Sequence, residues 1–81
     1  MLQTIYRLPF VKSQLGLSRS TIYLRIGQGL WTKPITIGGR AVGWPAREIE
    51  VLNAALIAGL SHREIRELVL ILEAERKAPN K

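Results

Sequence analysis

Glycine and proline punctuate this chain so closely that it can fold only as a series of short elements. The breaks fall at Gly16, Gly27 to Gly29, Pro34, Gly38-Gly39, Gly43 to Pro45, Gly59 and Pro79. The pieces between them are too short to be independent domains, and the whole chain is only 81 residues long. One small core must therefore serve every piece. A chain of this size buries only about 60% of its unfolded surface, which leaves a thin margin of stability. Without cysteine there is no disulfide framework, no thiolate nucleophile and no Cys-based metal site. The longest uncharged apolar stretch, Val51 to Leu60, falls well short of the roughly 18 to 20 residues that span a bilayer. The opening Met1-Leu2-Gln3-Thr4 lacks the basic-then-apolar order of a signal peptide. A cytoplasmic protein without membrane association is the expectation.

The punctuation also sets the order of elements. Ile5, Tyr6 and Leu8 suggest a short strand within residues 3–8. Pro9 suits the first turn of a short helix that runs to about Leu15, and Gly16 closes it. Ser18 caps a second helix, and Leu17 before the cap can staple to Ile22. Ile22 and Ile26 form the buried stripe of that helix, which fades at Gly27-Gln28-Gly29. Ile35 and Ile37 alternate with Thr36 as in a strand, and Gly38-Gly39 before Arg40-Ala41-Val42-Gly43-Trp44 marks a tight hairpin. Pro45 opens a third helix with Ile49, Leu52 and Leu56 on one face, and Gly59 stops it. Ser61-His62-Arg63-Glu64 is a capping box for a fourth helix, with Ile65, Leu68, Val69 and Leu72 on its apolar face. The predicted fold is mainly α with a small β-hairpin wing: a winged helix-turn-helix over residues 1–58, then a C-terminal helix within 59–81 as a dimerisation element. The first two helices, joined through Gly16-Leu17-Ser18, make the helix-turn-helix.

Charge then narrows the partner. The net charge is +6, and the two halves differ sharply. Residues 1–47 hold seven bases (Arg7, Lys12, Arg19, Arg25, Lys33, Arg40, Arg47) and no acid, whereas 48–81 hold six glutamates against five bases. A basic half that nothing internal neutralises points to double-stranded DNA. The second helix presents Arg19, Ser20, Thr21 and Tyr23 in its first two turns, beside the Ile22/Ile26 stripe. Those are the residue types and the position a recognition helix uses in a major groove, and the helix N-terminus itself attracts phosphate. Arg25 continues the basic surface, while Lys33 and Arg40 place cations on the wing, within reach of the backbone or minor groove.

Other groups read as structural. Trp31 and Trp44 bracket the hairpin and are expected in the core rather than stacked on bases. His62 stands alone, without cysteine or aspartate, so neither a metal nor a cofactor is implied. The six glutamates alternate with arginines, as in Arg63 to Glu67, and read as a solvated face rather than an acid/base pair. No phosphate loop, nucleophile elbow or ligand cluster is present, so an enzyme is not expected. The fourth helix is apolar all round from Leu68 to Leu72, and one small domain cannot cover every side of it. Leu68, Leu70 and Ile71 are the residues a second subunit would cover, giving the two-fold pair common among DNA binders.

Arg7-Leu8-Pro9, Gly16 to Tyr23, Gly29, Lys33-Pro34 and Gly38 to Trp44 together resemble the AlpA family of prophage regulatory proteins, over about residues 5 to 57. The resemblance implies a MerR-like winged helix-turn-helix and a small transcription regulator. Such proteins activate an integrase gene or act beside it in excision, with integrase or RNA polymerase as protein partners. By position, Arg19, Ser20, Thr21 and Tyr23 match the family's recognition helix and Arg40 its wing. The chain departs from the common pattern at Trp31-Thr32, at Leu52-Asn53 and at Leu24-Arg25, where the basic-then-apolar order is inverted. That inversion turns Leu24 away from Ile22 and Ile26. An excisionase-like architectural factor and a protein-interaction adaptor are the alternative readings.

Overall fold

The computed structural model describes residues 4–76. The order of elements is β1 (Ile5–Arg7), α1 (Leu8–Leu15), α2 (Arg19–Gly27), β2 (Ile35–Gly38), β3 (Ala41–Pro45), α3 (Ala46–Ile57) and α4 (His62–Glu75). This is the mainly helical, winged architecture that the punctuation predicts. The sequence places a polar tail over Glu73 to Lys77, ended by Ala78-Pro79; from Lys77 on it lies outside the described residues.

The strands form one antiparallel sheet in the order β1-β3-β2. The hairpin of β2 and β3 is therefore not free-standing. β1 pairs along the other side of β3, matching Ile5 to Pro45, Tyr6 to Trp44 and Arg7 to Gly43. Gly43 allows this closeness. A Cβ there would lie 2.7 Å from Ile5 Cγ2, 2.8 Å from the Tyr6 carbonyl oxygen and 2.9 Å from Ile37 Cδ1. The hairpin turn falls one residue later than the Gly38-Gly39 pair predicts. Gly38 pairs with Ala41 as the last residue of β2, so Gly39 and Arg40 form the turn. An irregularity in the ladder between Thr36 and Gly38 shifts the register there, as a bulged residue does. Arg40 thus stands in the tip of the wing rather than just beyond it.

Three helix ends have a plain local cause. Gly16 takes the left-handed conformation (φ 65°), and its N–H donates to the Lys12 carbonyl at 2.9 Å. That sharp stop, open to glycine without a Cβ penalty, swings the chain into α2. Ser18 caps α2, its Oγ accepting the Thr21 N–H at 3.2 Å. At α4 both halves of the capping box form: Ser61 Oγ accepts the Glu64 N–H at 3.2 Å, and Glu64 Oε1 accepts the Ser61 N–H at 2.9 Å.

A single apolar cluster joins these elements. Val11 of α1, Ile22 of α2, Leu30 and Trp31 of the following loop, Trp44 of β3, Ile49 and Leu52 of α3, and Ile65, Val69 and Leu72 of α4 are all buried in it. The tryptophans are core residues, and the Trp44 indole N–H donates to the Thr32 carbonyl at 2.8 Å. α4 belongs to this core as fully as the helix-turn-helix does, because its Ile65/Val69/Leu72 stripe faces inward.

Candidate nucleic-acid interface

The capped N-terminus of α2 gathers the predicted contact residues. Arg19 and Ser20 are exposed, and Thr21 and Tyr23 are half-exposed. The Arg19 guanidinium lies 5.4 Å from the centroid of the Tyr23 ring, one turn further on. This cation–π contact, worth roughly 0.5–1 kcal/mol at an exposed site, holds the arginine along the helix. Ser18 Oγ also lies 3.2 Å from Ser20 Oγ and 3.0 Å from Thr21 Oγ1. Three hydroxyls and the free N–H groups of the first turn thus make one polar cluster that can donate to phosphate or base edges.

The stripe opposite is apolar as expected. Ile22 is buried and Ile26 packs on the core, while Leu24 is 60% exposed. Arg25 is half-buried, and its Nε is buried without a hydrogen-bond partner among the described residues. Lys33 is exposed where the chain leaves the Trp31-Thr32 core segment for β2, and Arg40 is exposed at the wing tip. Of the seven bases in residues 1–47, only Arg47 forms an ion pair among the described residues, with Glu75 at 2.7 Å. The other six have no carboxylate within ion-pair distance among the described residues.

The glutamates are less uniform than a solvated face. Arg63 and Glu67 do form an exposed i,i+4 pair, at 3.9 Å. Glu48, in contrast, is 3% exposed and is held by Arg76: Nε donates to Oε2 at 2.7 Å and Nη2 to Oε1 at 2.6 Å. Burial of Glu48 is a correction to the sequence reading, and its cause is a partner 28 residues away. Glu73 accepts the backbone N–H of Lys33 at 2.7 Å. Arg66 Nε donates to the carbonyl of Gln28, the C-cap of α2, at 2.9 Å. Sequence reasoning missed these tethers because helical spacing places Arg66, Glu73 and Arg76 on an ordinary polar face. Glu64 is held below its ordinary value of 4.5 by its hydrogen bonds with the Ser61 backbone and side chain.

Leu68, Leu70 and Ile71 separate on α4. Leu68 is half-buried and packs on the core, whereas Leu70 is 68% and Ile71 55% exposed. Ile57, at the end of α3, is exposed as well. His62 is exposed in the first turn of α4. No helix among the described residues is long and apolar enough to cross a membrane.

A helix-turn-helix backed by a hairpin wing, with a capped and basic second helix, defines the winged helix-turn-helix class. The chain belongs within it to the family of the prophage CP4-57 regulatory protein, AlpA, whose family model it matches over residues 4–51. A relative from Enterobacteria phage P4, the uncharacterized protein ORF88, is 42% identical over 53 residues, 65% of this chain and 60% of the relative. The chain thus spans less than two thirds of that relative's length. No solved structure matches the chain. The prophage regulatory family and the winged fold stand as the sequence implies.

Proposed function

We propose that this protein is a sequence-specific double-stranded DNA-binding regulator of transcription, of prophage or integrated-island type. Residues 18–28 read the major groove, and the wing over residues 33–43 meets the backbone or the minor groove. Arg19, Ser20, Thr21 and Tyr23 carry base and phosphate contacts, with Arg25, Lys33 and Arg40 adding charge. The observation that carries this reading is the capped end of α2 in a half of the chain whose cations, all but Arg47, have no ion pair among the described residues. Residues 1–58 are assigned to DNA, and 59–81 to assembly as a homodimer through the exposed Leu70 and Ile71, with Leu68 between that patch and the core.

The test is titration of the protein onto duplex DNA over a range of salt, using random sequence and host integration-site sequence side by side. If about four to six cations per subunit meet phosphates, log affinity against log salt should fall with a slope of roughly −4 to −5 per bound subunit. A slope near zero overturns DNA binding. Equal affinity for random and selected genomic fragments removes sequence specificity and leaves an architectural or adaptor role.

A further inference from the structure

The last turn of α4 holds the root of the wing by its backbone. Lys33 has both main-chain groups taken by charged side chains of that turn. Its N–H donates to Glu73 Oε2 at 2.7 Å, and its carbonyl accepts from Arg76 Nη2 at 2.6 Å. Glu73 and Arg76 are three residues apart, so they adjoin on one side of the helix. Arg76 is itself fixed, since its fork grips the buried Glu48 carboxylate. One residue earlier, the Thr32 carbonyl accepts from the Trp44 indole. One residue later, Pro34 restricts its own φ and β2 begins at Ile35. The peptide units around Lys33 therefore have little freedom, while the Lys33 side chain remains exposed.

Apolar packing seats Trp31 in the same cluster as Val69 and Leu72, and polar bridges take over where the chain reaches the surface at Lys33. A groove of about 310 Å³ between α4 and the end of α2 has Ile26, Trp31, Val69 and Leu70 on its apolar wall and Lys33, Arg66 and Glu73 on its polar one. Polar bridges cross beside it, with Arg66 on the Gln28 carbonyl at one point and Glu73 and Arg76 on Lys33 at another. A buried, forked ion pair such as Glu48–Arg76 adds little net stability over an apolar pair, but it fixes position. The bridging residues also lie outside the segment, residues 4–51, that matches the family.

We infer that Glu73 and Arg76 are positioning residues for the DNA-binding wing: they set the backbone of Lys33 so that its ammonium meets a phosphate. This rests on the proposed reading of Lys33 as a DNA contact. It reverses the sign that simple electrostatics gives. Removing the carboxylate of Glu73 from a protein that binds a polyanion should strengthen binding. Removing a positioning group should weaken it.

The experiment compares DNA affinity and salt slope for wild type, Glu73→Ala, Glu73→Gln and Lys33→Ala, and for Glu73→Ala combined with Lys33→Ala. Glu73→Ala is expected to bind about fivefold more weakly, with a salt slope shallower by about one. Glu73→Gln keeps an oxygen acceptor for the Lys33 N–H and should retain wild-type binding or better it. In the Lys33→Ala background the effect of Glu73→Ala should vanish. Arg76→Lys, which keeps the charge and loses the fork, is the second variant should Glu73→Ala fail to fold, and it too should bind more weakly. Equal or tighter binding by Glu73→Ala, unchanged binding by Arg76→Lys, or a loss that persists without Lys33 overturns the positioning role. A wild-type chain with no salt-dependent DNA binding overturns the functional reading itself, and the positioning role with it.

Discussion

Arg19 and Arg40 differ in what surrounds them, and their replacement should separate two kinds of DNA contact. Arg19 projects from the first turn of α2, along Tyr23 and away from the core. Arg19→Ala should lower specific affinity by about 1–3 kcal/mol and blunt sequence discrimination if, as proposed, the arginine meets base edges. Arg40, at the wing tip, should act through phosphate. Arg40→Ala is expected to weaken specific and random DNA alike, as competition titrations with both duplexes will show. Gly43 is a residue-scale constraint of another kind. Its backbone is an ordinary strand, but there is no room for a Cβ beside Ile5, Tyr6 and Ile37. Gly43→Ala must push β1 off β3 and should cost about 1–3 kcal/mol in urea denaturation. A variant as stable as wild type would mean that β1 is not seated as described. The sequence marks Gly43 only as one break among several; its role appears once the strands on both sides of β3 are known.

At the scale of elements, α4 has the most complete start signal and should respond to pH at that start. Glu64 is stabilised as a carboxylate by Ser61, which lowers its pKa in the folded chain. A depressed carboxylate contributes stability that is fully present above its unfolded pKa and is lost as the pH falls through the lower, folded one. The capping contribution should therefore be complete at neutral pH and disappear in acid, below the ordinary value of 4.5. Carboxyl NMR titration checks this directly: the Glu64 midpoint should rise in Ser61→Ala, and helix protection near His62 should fall in the same variant at neutral pH. Element starts of this type were legible in advance because a cap joins residues three apart. Two adjacent glycines can each begin the hairpin turn, so spacing alone puts it one residue early, and cross-strand pairing of Gly38 with Ala41 makes the choice.

For the whole molecule, assembly turns on the outer face of α4, where Leu70 and Ile71 are exposed. Leu70 lies on the surface, so Leu70→Glu should leave the core intact and the chain folded. If a second subunit covers Leu70 and Ile71, the native protein should sediment as a dimer at micromolar concentration. Leu70→Glu should then sediment as a monomer with weaker DNA binding, since a dimer sets two recognition helices on one face of the duplex. A native chain that remains monomeric at high micromolar concentration removes the second subunit from the account.

Local spacing is enough to place the caps and stops, the apolar stripes of α2, α3 and α4, the outward turn of Leu24 and the candidate contact residues of α2. All of these are set by neighbours within about one helical turn, where spacing alone says which side chains meet. Contacts distant in the chain set the rest: β1 completes the sheet, Glu48 is buried, and Arg66, Glu73 and Arg76 tie α4 to Gln28, Lys33 and Glu48. Those partners stand 28 to 43 residues apart along the chain. Such pairs leave no periodic trace, because a charge that closes a long loop and a charge that faces water have the same spacing on their own helix.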